Sequence, residues 1–139
     1  MSGPSLRQLH AHHSIHEGGL SGAITKTEEL EEFMQAGEHV VAKYAAHHLI
    51  DYWETRIISH ADAEEEIGGF YDEKLNQQQE LATAIIQLKR DHDLMKMILK
   101  NIKDTLATEE LNDALLQQFQ ALIVLNNLHS REEERLLFA

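Results

Sequence analysis

Six side chains pair metal-ligand chemistry with positions on otherwise apolar helical stripes: His16, His60, Glu64, His92, His129 and Glu133. In His60/Glu64 and His129/Glu133 the spacing is His-x-x-x-Glu, which sets an imidazole and a carboxylate one turn apart on the same helix face. A carboxylate turned into a protein interior is costly unless it is paired or binds a cation. Two such carboxylates among four imidazoles cannot discharge each other by hydrogen bonding alone, and a pair of divalent ions would neutralise them. The spacing by itself says little. Ten His and 17 Glu in 139 residues give about 1.2 such pairs by chance, and three occur, the third being His13/Glu17. The weight lies in the apolar neighbours on each stripe.

Those neighbours define four helices. Ala, Leu, Glu, Gln and Lys dominate, no strand-like alternation appears, and the one proline is Pro4. The first helix, about 5–34, carries Leu6, Leu9, His13, His16, Leu20, Ile24, Leu30 and Met34 at three- and four-residue steps. Gly18, Gly19 and Gly22 weaken it, so a break near Gly22 or Thr27 is expected, with a stop at Gly37. The second, about 38–67, shows Ala46, Ile50, Trp53, Ile57, His60, Glu64 and Ile67, and Gly68-Gly69 ends it. The third, about 73–106, shows Leu81, Ile85, Leu88, His92, Met95, Leu99 and Ile102. The fourth, about 109–137, shows Leu115, Leu122, Asn126, His129, Glu133 and Leu136, with Thr108 or Asp113 as its cap. Bringing His92 level with His60 and Glu64 predicts a non-helical stretch over Phe70–Leu75. Short connections imply one all-α domain over 1–139, an antiparallel up-down-up-down four-helix bundle. His10 and His12 read as surface residues, and His39, His47 and His48 as ordinary ones.

Composition narrows the function. Twelve Lys+Arg against 24 Asp+Glu leave a net charge of −12, which repels phosphate backbones and argues against nucleic acid. With no cysteine, thiolate zinc, iron–sulfur and cysteine-nucleophile chemistry fall away. No run of 18 apolar residues predicts a membrane span, and Met1–Arg7 has no apolar signal region, so the expected compartment is the cytoplasm. No His has Glu three residues before it, as ferritin-type di-iron sites require, and His-Glu-x-x-His is missing.

The order His, His-x-x-x-Glu, His, His-x-x-x-Glu, carried by "SIHEGGL", "YWETRIISHADAEEE", "KRDHDLM" and "LHSREEERLLF", resembles the hemerythrin-like (HHE cation-binding) domains over residues 5–138. The resemblance implies a non-haem di-iron centre, two iron ions with a bridging oxo or hydroxo group. His16, His60, His92 and His129 would be nitrogen ligands, and Glu64 and Glu133 would bridge. It also implies an apolar wall, with Trp53, Ile57, Leu88 and Leu122 as candidates, and dioxygen or a similar small diatomic as ligand. Two departures stand out. The oxygen carriers have two third-helix histidines four residues apart, whereas here Leu88 and Lys96 flank His92 at that distance, so one iron lacks a nitrogen or His13 supplies it. The carriers also space the last carboxylate five residues on, so Glu134 competes with Glu133. Three functions follow: reversible dioxygen binding for storage, transport or sensing; iron handling or redox work on peroxide or nitric oxide; and, from the same fold, a metal-free interaction bundle. A catalytic role is left open.

Overall fold

Residues 9–138 are described in a computed structural model, and every element among them is helical. Helix α1 spans Leu9–Gln35. Helix α2, His39–Tyr52, runs through a π-helical turn, Trp53–Ile58, into α3, Ser59–Glu65. After Gly68-Gly69 come α4, Phe70–Gln77, a 3₁₀ turn, Gln79–Leu81, and α5, Ala82–Thr108. Helix α6, Asp113–Leu137, closes the bundle. None of these helices is long and apolar enough to cross a membrane.

The stops follow local chemistry. Helix α1 ends in a Schellman arrangement: Glu38 N–H donates to Phe33 O (3.0 Å), Gly37 N–H to Met34 O (3.1 Å), and Gly37 takes φ of 72°. The cap of α6 is Asn112, whose Oδ1 accepts from Leu115 N–H at 3.0 Å, rather than Thr108 or Asp113. The second helical run ends at Glu65, two residues before the expected Ile67, which is fully exposed. Phe70–Leu75, expected to be irregular, is helical because Phe70 and Tyr71 have a core to enter; the irregular step falls at Gln78 instead. The expected start of the first helix, at 5–8 and including Leu6, lies outside the described residues.

Helix α1 departs most from the pattern. Its three glycines do not break it, and its buried face is His12, Gly19, Ala23, Thr27 and Leu30, with His16 nearly buried. Leu9 and Ile24 are exposed. The helix is therefore turned by about one residue, roughly 100°, from the face its large apolar residues mark. Close approach explains the choice. Tyr52 on α2 lies across α1, its hydroxyl donating to Gly19 O at 2.8 Å, and a Cβ on Gly22 would sit 2.1 Å from that hydroxyl. Small residues admit the neighbouring helix where leucines would hold it off.

The apolar interior is in two pieces. The larger joins Ala23, Leu30, Trp53, Met95, Leu99, Phe119 and Leu122, among others. The smaller joins Phe70, Tyr71, Ile85, Leu88 and Leu137. Along each helix that spans both pieces, the ionisable residues fall between them: His92 between Leu88 and Met95, and His129 and Glu133 between Leu122 and Leu137. His60 and Glu64 likewise come after Ile57 and before Phe70. Trp53, Leu88 and Leu122, read as apolar wall, are all buried in these clusters.

Gly18 and Gly22 should respond oppositely to alanine. A Cβ on Gly18 meets only the flexible tip of Arg56, at 3.3 Å, so the helix-propensity gain of up to about 1 kcal/mol survives. On Gly22 it displaces Tyr52 and its hydrogen bond, for a net loss of about 1–2 kcal/mol. Thermal melts of Gly18→Ala and Gly22→Ala should move up and down respectively. Tyr52→Phe should cost less in the Gly22→Ala background than in the wild type.

Candidate metal centre

Seven side chains converge where the two apolar pieces meet. The donor atoms of His12, His16, His60, Glu64 and Glu133 lie within 4.8 Å of one another, and so do those of Glu64, His92, His129 and Glu133. The two sets share both carboxylates and divide their oxygens. Glu64 Oε2 faces His12 Nε2 (3.1 Å) and His60 Nε2 (3.5 Å), while its Oε1 faces His92 Nε2 (3.3 Å). Glu133 Oε1 faces His12 Nε2 (2.6 Å) and His16 Nε2 (3.3 Å), while its Oε2 faces His129 Nε2 (3.3 Å). Each acid thus offers one oxygen to each of two neighbouring positions, and every imidazole presents Nε2.

The outer nitrogens of two imidazoles are held. His92 Nδ1 donates to Glu65 at 2.6 Å and His129 Nδ1 to Asp91 at 2.9 Å. Such carboxylate–histidine pairs fix ring orientation and raise ligand basicity. From α4 the Tyr71 hydroxyl donates to Glu133 Oε2, and its ring stacks on His92, 5.7 Å between centroids. The backbone contributes too. A π turn adds one residue to a helical turn, so the turn at Trp53–Ile58 sets the angle at which His60 and Glu64 enter the core.

All six principal candidates meet here. His13 does not: it is half exposed and pairs at the surface with Glu134, Nδ1 to Oε1 2.5 Å. The extra nitrogen comes from His12, expected at the surface and found fully buried. Stepping by three or four from His12 passes through His16, Gly19, Ala23, Thr27 and Leu30. That pattern was present in the sequence, hidden because its small residues carry little hydrophobicity. Glu133, at 0% exposure, holds the central position, and Glu134 faces outward. Glu65, Asp91 and Tyr71 also escaped the sequence reading. The first two adjoin predicted ligands in the chain, and only the fold brings Tyr71 in.

The donor set fits a metal. Both oxygens of Glu64 and Nε2 of His60 are buried without a hydrogen-bond partner, and orphaned groups of this kind are expensive. Imidazole and carboxylate donors suit iron, manganese or zinc. Compared with known proteins, the chain matches no family model, no curated protein and no solved structure. The site itself defines a helical bundle whose buried His/Glu cluster can hold metal.

Without metal, protons occupy the cluster. Burial alone would lower the imidazoles, but Glu133 and Glu64 push His12 up to about 10, and Asp91 and Glu133 push His129 up to about 10. Burial and the mutual repulsion of the acids would raise Glu64, yet the imidazoles of His12, His60 and His92 leave it lowered; Glu133 is held well below the usual range by His12, His129 and His16 against its own burial. The imidazolium contribution to stability is complete below pH 6.5 and lost as pH rises through about 10. The carboxylate contribution is present above pH 4.5 and lost as pH falls. Chelated protein should therefore be most stable between about pH 4.5 and 6.5 and melt lower at each step from there to 10, whereas metal-loaded protein, whose ligands must be deprotonated, should gain over the same range. Thermal melts with and without chelator check this. Metal uptake at pH 7 should release about two protons from His12 and His129, measurable with a pH indicator.

Proposed function

We propose that this chain is a di-iron protein of the hemerythrin-like kind that binds dioxygen or a related small molecule at the centre between its two apolar clusters. The observation that carries the reading is the division of Glu64 and Glu133, each with one oxygen toward His12, His16 or His60 and the other toward His92 or His129. A single ion would leave one set of donors unused. His12 answers the missing third-helix histidine, since it supplies a fifth nitrogen from α1.

The matching bundle topology, antiparallel up-down-up-down, is part of the proposal. Cross-helix pairs support it. As α5 advances from Asp91 to Asn101, the α6 partner retreats from His129 to Gln118. As α5 advances from Lys96 to Lys103, the partner in the second helical run retreats from Asp62 to Glu54.

Iron held by these imidazoles and carboxylates would supply one-electron chemistry and affinity for a small diatomic. The chain does the rest. Glu65 and Asp91 keep His92 and His129 oriented, Tyr71 points its own hydroxyl proton at Glu133 Oε2, and the apolar clusters on either side exclude bulk water. Tyr71 also favours a second reading, redox work on peroxide or nitric oxide or iron handling. A phenol hydrogen-bonded to a central carboxylate places a proton and a one-electron donor beside the metals.

Protein purified in air should contain about two irons per chain, with near-ultraviolet bands that shift on adding azide. His60→Ala should lose metal and most of its thermal stability together, and His12→Ala should lose at least one iron. Anaerobic ferrous protein exposed to oxygen and then degassed separates the two readings: a spectrum that reverses supports carriage, and permanent oxidation supports redox or iron handling. Metal-poor wild type with the same stability as His60→Ala would leave an interaction bundle.

A further inference from the structure

One His-x-x-x-Glu pair is not used by the centre. His13 and Glu17 lie on the outer side of α1, their side chains 54% and 67% exposed. Their geometry nevertheless repeats that of the buried pairs. His13 Nε2 faces Glu17 Oε1 at 3.6 Å, against 3.5 Å for His60/Glu64 and 3.3 Å for His129/Glu133. The ring is also pinned from behind. Its Nδ1 donates to Glu134 Oε1 at 2.5 Å, as the Nδ1 groups of His92 and His129 donate to Glu65 and Asp91. With the proton on Nδ1, a neutral imidazole turns the lone pair of Nε2 toward the Glu17 carboxylate. The gap of 3.6 Å is too wide for a direct hydrogen bond. An ion at about 2.0–2.2 Å from each atom would span it at roughly 115–130°, near the tetrahedral angle. An octahedral ion, with ligands at right angles, asks for a gap of about 3.0 Å.

A second feature points the same way. The side chain of His16 is nine-tenths buried, and its Nδ1 has no hydrogen-bond partner. Glu134 Oε2 stands 4.0 Å from that nitrogen. Moved inward, the acid would satisfy it, yet Glu134 is drawn outward onto half-exposed His13. Leaving a buried nitrogen unpaired is costly. A cation on His13 Nε2 offsets that cost, because it strengthens the bond from Nδ1 to Glu134.

We propose that His13 and Glu17, with Glu134 behind them, form an exterior site for one divalent cation of tetrahedral preference, such as zinc, separate from the buried centre. The two protein ligands come from α1, and water fills the remaining positions. Half-exposed ligands let the ion exchange with solvent. An excess of 24 acidic over 12 basic residues draws cations toward the surface. The inference does not depend on the di-iron reading, because none of the three side chains supplies a donor to the centre.

The test titrates zinc into the full-length, iron-loaded chain by calorimetry, and cobalt(II) by visible absorption, which intensifies in tetrahedral surroundings. Wild type should take up one ion per chain more than His13→Gln or Glu17→Gln. Glu134→Gln should keep the ion but bind it about tenfold more weakly. His47→Gln, which removes an ordinary exposed histidine, should match the wild type. Iron content and near-ultraviolet bands should be the same in all of them. Equal zinc stoichiometry in wild type and His13→Gln overturns the proposal. So does zinc affinity within twofold of the wild type in both α1 variants, or an equal loss in His47→Gln. The readout is a difference between wild type and variant, so it serves equally for chelated protein. A chain that takes up no iron overturns the di-iron reading and leaves this test intact.

Discussion

Two carboxylates buried against each other set the terms for everything around them. Glu64 and Glu133 are almost wholly shielded from water and close enough to repel. They are tolerable only if positive charge sits between them. His12 and His129, both raised to about 10, provide it as protons in the metal-free protein, and bound cations would take their place. The rest of the bundle keeps that exchange local. Glu65 and Asp91 fix two rings from outside, while apolar clusters above and below deny water a share in the solvation.

Helix α1 shows what that arrangement asks of backbone packing. Its inward face has little side-chain volume, and α2 comes close enough for Tyr52 to reach a backbone carbonyl. The close approach carries His12 and His16 into the same focus as His60. A leucine-faced α1 would bury more hydrophobic surface and leave its two imidazoles too far from the carboxylates. Stability from burial is exchanged here for geometry at the centre, which fits a chain whose clustered imidazoles and carboxylates come from helices far apart in sequence.

Much of this was legible beforehand where large apolar residues mark the phase. On α5, Ile85, Leu88, Met95, Leu99 and Ile102 fixed the face, and His92 fell on it as expected. On α6 the same held for His129 and Glu133. The reading failed where burial is decided by fit rather than by hydrophobicity. Gly19 and Ala23 carry almost no signal, so α1 was phased on Leu20 and Ile24 and His12 was assigned to the surface. Phe70 and Tyr71 were placed in a connection because levelling His92 with His60 and Glu64 centres the hairpin well past Gly68-Gly69, and only a core to enter makes them helical. The π turn at Trp53–Ile58 leaves no mark in residue type, since what it adjusts is an angle set by the other helices.

The division of the apolar interior has a mechanical consequence. Cooperative unfolding needs a continuous set of mutually supporting contacts, and here the continuity between the two clusters passes through the polar layer. The smaller cluster leans on α4, a helix of 8 residues bounded by Gly69 and Gln78, too short to persist alone. Cations bound in that layer would rivet this end of the molecule to the rest. Without them, the amide hydrogens around Phe70 and Tyr71 should be the first to exchange with solvent, and the same loosening would open a way for ions to enter and leave.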